Sequence, residues 1–399
     1  MEMLENGYEN IQAGEKFVCA KHFQDPYLSK YVQDHSVEGI CSYCGTAGHV
    51  ADMADVIPHI GFVIKMYYNN IDEECLPLAS TYFDDENEEI PEIKRIGNFA
   101  APAGAEDYFS TSELLYDLVE TDNELLDKDV YSIFYDQPWI KKDAFEPWKH
   151  EGMTWQWERF SELVKTKCRY TFWSMPDNGD GNGTLADILK DLGSVLCSTG
   201  AIEELPIGTS LYRVRGLYEL KESYNFNDIT SPPDGMGGQC RMSPAGVSMF
   251  YAAFDSRTAF SEYLKSKEHV ATLLGEFKTK FPLRVVDLTT LPEYVSIWMD
   301  NWESVSFLKS FHSSITQPVN EKQENIDYIP SQVFVEYLRW MFVDTEGKSI
   351  DGLIYKSSKS DSKNIVLFCD QSKSAEWLTL NNHYIEKFTI KGANSGHLS

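Results

Sequence analysis

Between Ala51 and Asn70 apolar residues recur at Val56, Ile57, Ile60, Val63 and Ile64. That three-and-four spacing turns one face of a helix inward. The same period returns at Leu114, Leu115, Leu118 and Val119, and again at Phe160, Leu163 and Val164, so residues 50–175 are expected to be mostly helical. The acidic run Asp84-Asp85-Glu86-Asn87-Glu88-Glu89 fits a solvated loop. A breaker follows at Asp177-Asn178-Gly179-Asp180-Gly181-Asn182-Gly183. Thr184 then stands where a cap belongs, ahead of a helix carrying Leu185, Ile188, Leu189 and Leu192. Beyond Pro206 the period changes to two. Ser210 to Arg215 alternates like a strand, and Val247–Ala252, Leu283–Leu288, Ile350–Tyr355 and Ile365–Cys369 are β-rich runs. Between them, Ser256–Leu264 and Ser331–Phe342 have helical character. The expected fold class is α+β, a mainly helical first part followed by a mixed α/β part. The segments are 1–50, 51–205 and 206–399.

Charge sharpens that division. The chain has 399 residues and a formal net charge of -27. Residues 1–205 hold 39 acidic against 15 basic side chains, whereas residues 206–399 hold 23 against 20. A strongly acidic chain without a Lys/Arg run repels phosphate backbones, which argues against nucleic acid as a partner. No run of about 18 apolar residues is present, so no membrane span is expected. The start, Met1-Glu2-Met3-Leu4-Glu5, lacks the basic and apolar regions of a signal peptide. Eight cysteines are too few for a disulfide scaffold in a chain this long. A cytoplasmic protein is expected.

Three of those cysteines join a histidine in a chelating pattern. Cys19-x2-His22 and Cys41-x2-Cys44 form two pairs, each able to face one ion from a tight turn. Zinc prefers four sulfur or nitrogen ligands in a tetrahedron, and four protein ligands leave no open position, so a structural zinc is expected here and residues 1–50 are expected to form a zinc-ribbon-like segment. His49 is a possible substitute for His22.

In the second half, polar groups recur where strands and turns should converge. The strand Tyr212-Arg213-Val214-Arg215 sends Arg213 and Arg215 to one face, and two guanidinium forks on one face suit a diphosphate. Arg241 follows the turn Gly237-Gly238, Tyr251 ends a β-rich run, Glu262 lies on the following helix, and Ser357 follows a late strand. In order and spacing, Leu211-Tyr212-Arg213, Arg241, Tyr251, Ala259-x-x-Glu262 and Gly352-x-x-Tyr355-x-Ser357 resemble the RES domain family, over about residues 205–375. The first half resembles the helical HEPN-type domain that precedes RES domains. The residues carrying that likeness are the Cys/His pairs, Ser112-Glu113-Leu114-Leu115, Trp157-Glu158-Arg159-Phe160 and Cys168-Arg169-Tyr170-Thr171-Phe172. The first metal pair, Cys-x2-His, departs from the Cys-x2-Cys of that pattern.

The RES resemblance implies an ADP-ribosyltransferase-like fold and a toxin that cleaves the nicotinamide–ribose bond of NAD, with water or phosphate as acceptor. It implies catalytic roles for Arg213, Glu262 and Ser357. NAD would be held by Arg213, Arg241 and Tyr251, with Arg215 as a lesser candidate. A cognate antitoxin or regulatory protein is the implied partner. Neither a Gly-x-Gly-x-x-Gly fingerprint nor a Walker loop is present, so NAD is expected as a consumed substrate rather than a redox cofactor. The alternatives are transfer of ADP-ribose to a macromolecule, or a non-enzymatic zinc and helical interaction module. A HEPN ribonuclease would need an Arg followed by His after four to six residues, and no such pair occurs.

Overall fold

The structure is a computed structural model that describes residues 12–70, 95–96, 99–100, 108–143, 146–174, 184–263, 268–320 and 322–387. The acidic run at 84–89 and the breaker at 177–183 lie outside these residues. The chain divides into two units, one of residues 1–148 with 294–302, the other of 149–293 with 303–399.

In the first unit a three-stranded antiparallel sheet of Phe17–Val18, Ala47–Asp52 and Val37–Ile40 carries the Cys/His turns. The expected helix runs from Met53 to Tyr67, started by Asp52, whose carboxylate accepts from the N–H of Ala54. Its Val56, Ile57, Ile60 and Ile64 are buried with Leu114, Leu115, Leu126, Val130 and Trp139 in one core. Helices Pro26–Asp34, Thr111–Leu118 and Glu124–Ile133 are the other α-helices of this unit among the described residues. The structure adds a small antiparallel sheet of Tyr68–Asn70, Pro138–Lys141 and Tyr108–Ser110, which periodicity did not reveal.

The second unit is built on eight strands: β1 (Ile202–Leu205), β2 (Ser210–Leu217), β3 (Phe250–Ala253), β4 (Ala271–Thr279), β5 (Leu283–Asp287), β6 (Gly352–Lys356), β7 (Lys363–Leu367) and β8 (Leu378–Lys387). They lie in the order β8-β4-β2-β3-β7-β6-β5-β1, antiparallel throughout except for β5 beside β6. Alternate residues feed opposite faces. Val286, Leu353 and Val366 pack with helices α1 (Lys149–Thr166), α2 (Leu185–Ser198), α4 (Trp302–Thr316) and α5 (Ile329–Trp340), while Val285, Ile354 and Ile365 join the core on the other face. Helix α3 (Ser256–Glu262) follows β3, and Asp255 caps it by accepting from the N–H of Thr258.

The unit boundary falls at Lys149, well ahead of the change of character near 205. The apolar faces of α1 and α2, among them Trp157, Phe160, Leu189 and Leu192, are buried with Phe311 and Phe334 of the C-terminal half. Thr184 caps α2 as expected, in a reciprocal box with Asp187.

Candidate active site and metal cluster

The pairing of β2 with β3 is limited to one position, Tyr212 opposite Ala253, whereas β2 pairs with β4 along its full length. A cavity of about 310 Å³ opens there, lined by Tyr212, Arg213, Val214, Ala252 and Ala253 from these strands. Arg241, Tyr251, Glu262, Tyr355 and Asn364 also face it. That volume is at the lower end of the range, about 300–1,000 Å³, that encloses a drug-sized ligand.

Arg213 reaches from β2 to the backbone of β3. Its Nη1 donates to the Tyr251 carbonyl at 2.7 Å, and its guanidinium lies 5.5 Å from the centre of the Phe250 ring. Its buried Nε has no protein partner among the described residues. Burial pushes the guanidinium down to about 10, which still leaves it charged at neutral pH. Arg241 also lines the cavity, donating Nη1 to the Ile315 carbonyl at 3.0 Å and lying over Tyr328. Its turn depends on Gly237, where a Cβ would collide with the Val247 carbonyl oxygen.

Tyr251 lines the cavity, and its hydroxyl lies 2.8 Å from Ser243 Oγ. Burial pushes its phenol well above the ordinary value, and Tyr355 rises for the same reason. Cys240, also on the lining, is raised by burial too and is held as a thiol.

Glu262 ends α3, and its carboxylate is anchored through one oxygen. Oε1 accepts from Ser357 Oγ at 2.5 Å and from Asn364 Nδ2 at 2.8 Å. Ser357 itself is 5 % exposed and is not part of the cavity lining. Its hydroxyl also accepts from the backbone N–H groups of Lys359 and Ser360, both at 3.1 Å. A serine hydroxyl offers one donor and two acceptor positions, so all three are taken.

The structure thus brings Arg213, Arg241, Tyr251 and Glu262 to one cavity, with Ser357 behind Glu262. Arg215 does not join them. It is exposed, and its Nη1 donates to the Asp228 carbonyl at 2.9 Å. Asn364 escaped sequence reasoning. The only signal it offered was an amide just before the apolar run Ile365-Val366-Leu367.

In the first unit, the ligand atoms of Cys19, His22, Cys41 and Cys44 all lie within 4.8 Å of one another. Cys19 Sγ is 3.8 Å from Cys44 Sγ. A tetrahedral zinc with Zn–S near 2.3 Å sets its sulfurs about 3.8 Å apart. His22 Nδ1 bonds Asp122 Oδ1 at 2.6 Å, while its buried Nε2 has no protein partner among the described residues. A carboxylate behind a histidine in this way fixes the tautomer that offers the other nitrogen to a metal. Bonds from Thr46 hold the Cys44 thiol down to about 5. The residues fit a four-coordinate zinc, with His22 as the fourth ligand. His49 lies on the strand Ala47–Asp52, exposed and outside the cluster.

Among the described residues, no helix is long and apolar enough to cross a membrane. A search of curated protein sequences gave no match. Among solved structures, the M. tuberculosis MbcT–MbcA toxin–antitoxin complex aligns with 49% of this chain and 92% of its own, at 13% identity and a TM-score of 0.27. Residues 34–178 match the family described as HEPN/RES N-terminal domain 1, and residues 210–383 match the RES domain family. The chain thus carries a HEPN/RES N-terminal domain followed by a RES domain.

Proposed function

We propose that the RES domain binds NAD in the β2–β3 cavity and breaks its nicotinamide–ribose bond. The observation that carries this reading is the anchored Glu262 carboxylate facing the same cavity as Arg213 and Arg241. In the reaction the C1′–N bond breaks and its electron pair returns to the nicotinamide ring, so the leaving group departs neutral without a strong general acid. Positive charge develops on the ribose, as in glycoside hydrolysis, and the carboxylate of Glu262 stabilises it. An oxygen of water or phosphate then bonds to C1′; water loses its proton to solvent. Arg213 and Arg241 would hold the pyrophosphate, and the Tyr251 ring would lie against the nicotinamide. With its hydroxyl fully engaged, Ser357 would act on Glu262 rather than on the ribose.

Depleting NAD would arrest growth, which makes the protein a toxin or defence effector and gives an antitoxin or regulatory partner a reason to exist. The cluster of Cys19, His22, Cys41 and Cys44 would hold a zinc that stabilises the first unit and takes no part in the chemistry. The test is release of nicotinamide from NAD by the full chain, with and without phosphate. The reading expects release that Glu262→Ala abolishes, phosphate dependence identifying the acceptor. Mass gain on a macromolecule without free ADP-ribose would point to transfer instead. No release under either condition would count against NAD cleavage.

A further inference from the structure

Both donors to Glu262 belong to the hairpin made by β6 and β7. Ser357 follows the last residue of β6, and Asn364 is the second residue of β7. The hairpin is closed by the Ser357 N–H bonding the Ser362 carbonyl at 3.0 Å. Asn364 is fixed from both sides, opposite Tyr355 on β6 and Ala253 on β3. The residue is 6 % exposed. Helix α3 therefore delivers Glu262 into a preformed grip of two donors on separate arms of one hairpin.

We propose that Asn364 is a positioning residue for Glu262, clamping Oε1 together with Ser357 so that Oε2 is left to face the cavity. The inference rests on the NAD-cleaving reading of the site. Both contacts converge on Oε1, and no donor among the described residues reaches Oε2. One such bond leaves a carboxylate free to swing about its last torsion. Two bonds from different directions fix its plane before substrate arrives, and that pre-set geometry favours the reacting state over the bound ground state. Bonds to an ionised carboxylate are also stronger than neutral ones, so the grip persists in the absence of a ligand.

The experiment uses the full chain and the variants Asn364→Leu, close in size but without a donor, and Asn364→Ser, polar but too short to reach. Loss of an anchor predicts kcat for nicotinamide release down about tenfold, with KM within about twofold of wild type. Should Asn364→Leu fail to fold, Asn364→Ser gives the same test. Unchanged kcat would overturn the proposal. So would a raised KM at unchanged kcat, since Asn364 would then hold the substrate itself. A second measurement needs no activity: the Asn364 side-chain amide proton, followed by NMR in the ligand-free chain. It should be shifted downfield in wild type and move upfield in Glu262→Gln; an unmoved resonance would overturn the clamp. If wild type released no nicotinamide, the NAD reading would fall while this resonance still decided the clamp.

Discussion

Replacing Ser357 by alanine tests the division of labour at the site. The substitution removes the 2.5 Å bond to Glu262 Oε1 and leaves the N–H groups of Lys359 and Ser360 without their acceptor. A hydrogen bond to a charged group contributes about 1.5–3 kcal/mol. If that contribution is felt mainly in the transition state, kcat falls between about 10- and 150-fold, at about 1.4 kcal/mol per decade. Glu262 keeps its bond to Asn364, so the loss should lie toward the lower end of that range. The two backbone N–H groups sit in a turn where Lys359 is exposed, so water can serve them, and the stability loss should stay near 1 kcal/mol. Steady-state nicotinamide release gives kcat and KM separately, and a thermal melt of the same samples checks the fold. A KM increase at wild-type kcat would refute the reasoning, because Ser357 would then touch the substrate. Wild-type values for both would refute it equally.

The metal cluster predicts one zinc per purified chain by elemental analysis, lost in Cys41→Ser together with a lowered thermal midpoint; full stability in a metal-free wild-type chain would contradict it. Asp344 is buried, and the N–H groups of Lys348 and Glu346, with the Arg284 guanidinium, outweigh burial and hold its carboxyl below the ordinary value. Its contribution to stability is therefore present above the ordinary carboxylate range, near pH 4, and is lost as the pH falls through the depressed folded value. Asp344→Asn should lower the urea midpoint at pH 7, with the gap to wild type narrowing below about pH 4; a pH-independent gap would be the contrary result. Gly193 sits in α2 where a Cβ would meet the Tyr337 hydroxyl at 2.8 Å and the Phe342 ring at 2.9 Å. Gly193→Ala should destabilise by about 1–3 kcal/mol in chemical unfolding, although helix propensity alone favours alanine by up to about 1 kcal/mol.

What could be read from the chain was what is local. The alternation around Arg213, the cap at Thr184 and the inward face of Met53–Tyr67 are encoded within a few residues, and each element formed where its pattern lay. Strand β8 showed no such pattern because eight of its ten residues are exposed, leaving no buried alternation to detect. Strand β4 alternates in burial from Leu273 to Thr279, but Leu274 on its open face and Gly275 on its buried face blur that alternation in the sequence. At the site, the types of Arg213, Arg241, Tyr251 and Glu262 were legible, but orientation was not. Arg213 and Arg215 share a strand face by parity, yet the single pairing of β2 with β3 gives the cavity to Arg213 and leaves Arg215 with Asp228. The partner of His22, Asp122, stands 100 residues away, beyond the reach of spacing arguments.

The most direct measurement is nicotinamide release from NAD by wild type and Glu262→Ala, each with and without phosphate. The account predicts release by wild type and its loss in the variant, with the fold intact by thermal melt. Equal release by both proteins would contradict the role of Glu262, and no release by wild type would contradict NAD cleavage at this site.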